Sequence, residues 1–156
     1  MPDEVFAKTA TGLVKKKADP RAIKFELQSG EIAALHPKSI NYDCGEYETC
    51  WMSYASMLKT KGTFLMNCTL IRPFDILLFG GTKIEVSHVD QILTIDGWIE
   101  FKASAKVAAI VRAIRKQFDL VLQQKISRPD LEINSSPLFS FVVSLLSTSG
   151  YILTTL

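Results

Sequence analysis

Asp96-Gly97-Trp98-Ile99-Glu100-Phe101-Lys102-Ala103-Ser104 marks the point at which the chain changes period. Asp96-Gly97 is a tight-turn signal. Trp98 to Lys102 predicts the last strand of a β region. Beyond it the pattern is helical. Ser104 is placed to cap a helix, because its hydroxyl can accept from a backbone N–H that has no partner within the helix. Val107, Ile110, Val111, Ile114, Phe118, Val121 and Leu122 then fall at helical spacing and form one apolar stripe. Lys106, Arg112, Arg115 and Lys116 fall largely outside it. The helix is predicted to run to about Lys125, and Pro129 prevents its continuation.

Upstream, the period is two. Ile23, Phe25 and Leu27 alternate with Lys24 and Glu26, the mark of a half-buried strand. Ser29-Gly30 is a turn, and Ile32 to Leu35 is a second short run stopped by Pro37; together they predict a hairpin. Residues 38–49 read as a loop. Trp51 to Leu58 predicts a strand, with Trp51 and Tyr54 on opposite faces unless a bulge intervenes; one of the two rings could form a platform for a base. Lys59 to Gly62 turns the chain. Phe64 to Ile71 is the next strand, with Phe64, Met66, Cys68 and Leu70 on one side and Pro73 ending it. Phe74 to Phe79 starts as a helical turn and passes into a strand at Gly80-Gly81. Lys83 to Val86 and Ile92 to Ile95 flank a turn around His88. A short second helix is predicted from Pro137 to Ser147.

The expected organisation is therefore an extended lead-in over residues 1–21, a barrel over 22–103, a long packing helix over 104–128 and a C-terminal extension over 129–156. Several short strands followed by one amphipathic helix suggest a small twisted barrel packed on a helix. The five-stranded OB-fold is the barrel of that kind that often binds oligonucleotides. Trp98 and Phe101 are expected to pack such a barrel against the helix, since aromatic rings dominate cores.

Composition narrows function mainly by exclusion. The 156 residues suffice for one domain with a real core. A net charge of +2 gives no global electrostatic signal for nucleic acid. Lys15, Lys16, Lys17, Arg21 and Lys24 cluster near the start, and Arg112, Arg115 and Lys116 cluster later; such runs are usually solvated faces. Three cysteines and an acidic, non-apolar start predict a reducing compartment and no secretory leader. The apolar runs are too short to span a bilayer, so an intracellular protein without a membrane partner is expected, nuclear or cytoplasmic. Cys44 and Cys50 lack zinc-type spacing, so no metal site is expected. No Gly-x-Ser-x-Gly elbow is present, and Gly80-Gly81-Thr82-Lys83 is not a phosphate-cradling loop. No catalytic residues are expected.

Three segments together resemble one family. His36-Pro37-Lys38-Ser39-Ile40-Asn41 is similar to the His-Pro-Ser-Ser-Val-Asn segment of DEAH/RHA-type ATP-dependent RNA helicases. Asn67 to Gly81 resembles that family's Leu-Leu-Phe-Gly-Gly segment, and Asp96 to Ser104 its Asp-Gly-Trp-Ile-x-Phe-x-Ala-Ser segment. Lys38 departs from the pattern, replacing the usual serine by a cation. The resemblance covers roughly residues 22–130 and continues through Leu122 to Pro129. It implies an OB-fold domain C-terminal to two RecA-like ATPase domains, which are absent here together with their ATP and magnesium. It implies docking on those domains and contact with single-stranded RNA at the channel exit, with no cofactor of its own. An OB-fold holds single strands through a positive groove and stacking faces. On that basis the RNA candidates are Lys38, Ser39, Asn41, Tyr42, Lys59, Lys61, Lys83 and His88, while His36 reads as a structural residue at a strand end. The alternative is a protein-interaction module that docks helicase domains or a cofactor protein without touching RNA, with Arg112, Arg115 and Lys116 as its basic patch.

Overall fold

The alternating run at Phe25 does form a strand, and it belongs to a barrel. The structure is a computed structural model that describes residues 6–10, 19–87 and 89–148. The chain divides into two compact units, one ending at Pro73 and the other starting at Phe74.

The first unit holds β1 (Phe6–Thr9), β2 (Phe25–Leu27), β3 (Ile32–Leu35), β4 (Trp51–Lys59) and β5 (Thr63–Ile71). They close in the order β1-β2-β3-β5-β4, a five-stranded OB-fold barrel. Every pair is antiparallel except β3 with β5. Alternation sends Ala7, Phe25, Leu27, Ala33, Leu35, Met52 and Tyr54 into one core, while Lys8, Lys24 and Glu26 face out.

The barrel boundaries differ from those expected. The barrel recruits Phe6–Thr9 from the segment read as lead-in, and it ends at Ile71 rather than near residue 103. Four residues with one lysine carry too little pattern to read as a strand. Their partners, Leu27 to Phe25 on one side and Ser53 to Trp51 on the other, are remote in sequence. The lysine run at residues 15–17 lies outside the described residues.

Strand β5 also departs from simple alternation. Leu65 is buried, yet so is Cys68, and Asn67 between them is exposed with φ at 54°. The left-handed backbone at Asn67 resets the phase. Phe64 and Met66 are therefore only half-buried, and they lie on the face opposite to the one the period of two assigned them. Asparagine is among the few L-residues that tolerate this conformation.

The second unit holds α1 (Pro73–Phe79), β6 (Ile84–Ser87), β7 (Ile92–Ile95), β8 (Ile99–Lys102), α2 (Ala105–Ser127) and α3 (Pro137–Thr148). The strands make a separate meander, β6-β7-β8. Leu93, Ile95 and Ile99 from it are fully buried, and Ile76, Leu77, Leu78, Ala108 and Val111 are buried as well. Residues 74–79 are helical throughout, with proline at a first-turn position where its missing N–H is harmless. Trp98 and Phe101 belong to this meander, not to the barrel, and both stay partly exposed.

The expected cap of α2 is present: Ser104 Oγ accepts from the Val107 N–H at 3.4 Å. Its apolar stripe is rotated relative to the sequence reading. Ala108 and Val111 are buried, whereas Val107 and Ile110 are 46% and 47% exposed. Arg115 turns inward in their place. Its guanidinium donates to the carbonyls of Leu77 (3.1 Å), Gly80 (2.6 Å) and Gly81 (2.8 Å), the orphan acceptors at the end of α1. A cation there also complements the negative end of the helix dipole. The Phe79 and Phe118 rings meet edge to face at 5.1 Å.

Asp96 organises the adjoining loop. Its Oδ1 accepts from the backbone N–H of Thr82 (2.9 Å) and Lys83 (2.8 Å) and from the Thr82 hydroxyl (3.2 Å). Partial burial pushes this carboxyl up, but the hydrogen bonds and the Arg115 charge outweigh it and hold Asp96 below the ordinary aspartate value. Gly81 sits against the same group with φ at +63°. A Cβ there would fall 2.2 Å from Ile95 Cγ2 and 2.5 Å from Asp96 Oδ2.

Two stability predictions follow from this loop. Gly81→Ala should destabilise the chain by about 3 kcal/mol through backbone strain plus overpacking, read by denaturant unfolding. Asp96→Asn should lose about 2 kcal/mol at neutral pH, the scale of charge-assisted hydrogen bonds. A lowered carboxyl stabilises the fold above its unfolded value of about 3.9, and that contribution disappears as pH falls through the folded value. The gap between wild type and Asp96→Asn should therefore narrow below about pH 4, and a constant gap would contradict the assignment.

Candidate nucleic-acid interface

Pro37 has no N–H to continue the β3–β5 ladder, and the last ladder-like bond runs from the His36 N–H to the Leu65 carbonyl at 3.0 Å. From there the chain leaves β5 as a loop. Between loop and strand lies a cleft of about 330 Å³, lined by His36, Lys38, Ser39 and Ile40 on one side and Met66, Asn67, Cys68 and Thr69 on the other.

Short-range bonds fix the loop. The Ser39 N–H donates to the His36 carbonyl at 2.8 Å. The Lys38 N–H donates to His36 Nδ1 at 3.1 Å, so in the neutral imidazole the proton sits on Nε2 and is available as a donor. The His36 ring is held edge-on to Phe64 at 6.1 Å. Asn41 ties the far end of the loop to the strand, its Nδ2 donating to the Cys68 carbonyl at 2.9 Å. The Asn41 carbonyl in turn accepts from Tyr47 Oη at 3.2 Å.

Of the residues expected to meet RNA, the six that belong to the barrel unit do not all lie at the cleft. Lys38 and Ser39 line the cleft, Lys38 exposed and Ser39 partly so. Asn41 and Tyr42 lie behind it and serve the fold: Asn41 holds Cys68, and Tyr42 packs on the barrel core. Lys59 and Lys61 sit at the β4–β5 turn. Lys59 pairs in register with Thr63, about 13 Å of strand from Asn67. Lys59 is engaged by Glu31 at 2.7 Å, and Thr63 also donates to that carboxylate. Hydrogen bonds from Lys59 and Thr63 hold Glu31 below its ordinary value. Lys83 belongs to the other unit and is paired with Glu85 at 2.6 Å, which raises its pKa. His88 lies outside the described residues.

Other residues of the cleft were missed. His36 was read as structural, yet it lines the cleft and carries an available N–H. Asn67 and Thr69 present polar side chains, and both are exposed. Ile40 is 91% exposed beside them, an apolar side chain free to lie against a flat ring. Asn67 is the first residue of the second family-like segment, and that was the only signal for it. Trp51 and Tyr54 are both buried, so neither is an open stacking platform; Lys8 Nζ lies 5.6 Å from the centre of the Trp51 ring.

All three described cysteines are free. Burial pushes Cys68 up to about 11 and raises Cys50. Burial, with Cys44 and Cys68 nearby, pushes the Tyr47 hydroxyl up to about 12. No group of three or more metal-ligating side chains is assembled among the described residues, and no described helix is long and apolar enough to cross a membrane.

Residues 8–84 match the oligonucleotide/oligosaccharide-binding (OB)-fold family, and residues 91–148 match the C-terminal domain in RNA helicases. The chain is 36% identical over 118 residues to the ATP-dependent RNA helicase DHX29 of Mus musculus, covering 76% of this chain and 8% of the relative. It is 30% identical over 149 residues to the ATP-dependent DNA/RNA helicase DHX36 of Bos taurus, covering 91% of this chain and 14% of the relative. It is likewise 30% identical over 149 residues to the putative ATP-dependent RNA helicase DHX57 of Mus musculus, covering 93% and 11%. The chain thus spans a small fraction of each of these relatives' lengths. With the closed barrel, the two matched regions and these relatives together, the chain belongs to the C-terminal OB-fold domain family of the DEAH/RHA-type RNA helicases.

Proposed function

We propose that this domain holds single-stranded RNA for an ATP-dependent helicase, at the exit of its RNA channel, with the His36–Asn41 cleft as the contact. The observation that carries this reading is the cleft itself. One exposed cation, an imidazole N–H, a hydroxyl and an exposed apolar side chain converge on a strand edge distorted at Asn67. Lys38 supplies phosphate attraction, while His36, Ser39, Asn67 and Thr69 supply directional hydrogen bonds, and Ile40 supplies a face for a base. Charge positions a strand and directional bonds can select among bases. Lys61, exposed at the β4–β5 turn, would extend the phosphate track; Lys59, neutralised by Glu31, would add less.

In this reading the domain brings no cofactor and no catalytic group. ATP and magnesium are bound by ATPase domains elsewhere in the parent protein, on which this domain docks.

The test is a titration of this chain with labelled oligouridine over a salt series. Binding in the micromolar range at low salt is expected. Lys38→Ala should lower the slope of log K against log salt by about 0.7, the value for one phosphate contact with a single strand. Lys83→Ala should leave both affinity and slope unchanged. If Lys38, Lys59 and Lys61 are replaced together by alanine and binding is unaltered at every salt concentration, the cleft is not the RNA site. No binding by the wild-type chain even at low salt would favour a docking module instead.

A further inference from the structure

We propose that a second, shallow groove, confined to the helical unit, is a docking site for an acidic protein segment. It measures about 360 Å³ and lies between the Thr82–Ile84 loop and one face of α2. Arg112, Lys116 and Leu120 follow one another along that face at successive turns, spanning about 12 Å. All three are exposed, Leu120 by 43%.

The charges in the groove differ in what they can do. Arg115 is committed to the carbonyls at the end of α1. Arg112 spends one donor on the Ile84 carbonyl at 3.2 Å, which fixes its guanidinium at the rim and leaves its other N–H groups open. Lys116 makes no hydrogen bond or ion pair among the described residues. The face therefore presents two available cations followed by an apolar foothold. Its complement is a segment with two carboxylates about one helical turn apart and an apolar side chain after them.

Two features argue for such a segment over nucleic acid. Asp119 lines the same groove, and its carboxylate opposes the burial that lowers the Arg115 pKa. A phosphate chain laid along the groove would meet that negative charge, whereas a peptide can place its few carboxylates away from it. Among the described residues no aromatic ring lines the groove, so bases would find no stacking face there. The proposal does not rest on the RNA reading, whose residues belong to the barrel.

The experiment is fluorescence anisotropy of this chain with a labelled peptide made of repeated Glu-Asp-Glu-Leu units, with oligouridine measured in parallel. Micromolar binding at low salt is expected, with no binding of a control peptide that carries lysine in place of each acidic residue. Lys116→Glu breaks no internal bond and should weaken peptide binding about ten-fold, the scale expected when an attractive charge pair becomes repulsive. Leu120→Asp should weaken it as well. Lys38→Ala should leave it intact. Thermal unfolding of each variant confirms that it is folded. A folded Lys116→Glu variant that binds the peptide like wild type would overturn the proposal. So would absence of peptide binding by the wild-type chain, or a loss confined to oligouridine.

Discussion

The early end of the β3–β5 ladder is the constraint on which the barrel's working surface depends. A closed barrel leaves few backbone groups open. Here one seam parts, because Pro37 cannot donate and the chain swings away after its bond to Leu65. Asn67 then rotates the strand into the left-handed region, which turns its own side chain outward and returns Cys68 to the core. Asn41 stops the loop from drifting by bonding back to Cys68. The cleft is thus held open by bonds behind it and by two of its own side chains, His36 accepting from the Lys38 N–H and Ser39 from the Asn41 N–H.

The same division recurs in the helical unit with the opposite lesson. Arg115 looks from its neighbours like one member of a basic patch, and Asp96 like an ordinary turn residue. Both are joints. Arg115 closes the carbonyl end of α1, and Asp96 gathers the N–H groups of the next loop. Gly81 is small because Asp96 and Ile95 need the space, and Gly80 because the end of α1 does: a Cβ on Gly80 would sit 2.8 Å from the Ile76 carbonyl oxygen. The Gly-Gly and Asp-Gly segments that identify the family therefore carry the architecture of one unit, while the His-Pro segment carries the candidate site of the other.

Legibility in the sequence followed the range of the interactions. The Ser104 cap, the long helix after it, the Asp96-Gly97 turn and the short helix at Pro137 all rest on neighbours within a few residues, and they were readable. Strand β1 was not, because Phe6–Thr9 is a strand only by virtue of β2 and β4. Of the candidate lysines, Lys38 could be placed from its motif. That Lys59 and Lys83 are paired with Glu31 and Glu85 required the folded chain for Glu31, which approaches from the turn between β2 and β3, and side-chain geometry for Glu85, two residues away. His36 was legible as a motif residue but not as a donor, since its free nitrogen is set by a bond to Lys38.

The sequence by itself determined the family, the long capped helix that follows the last strand and the lack of a nucleotide-cradling loop within this stretch. Those follow from residue identity and local period. Only the tertiary structure decided which five strands close the barrel, which cations stay available and where a cleft opens. Each of these depends on residues far apart in the chain being brought together. A charge or a polar group acquires its role from the partner it meets there, and residue type alone does not specify that partner.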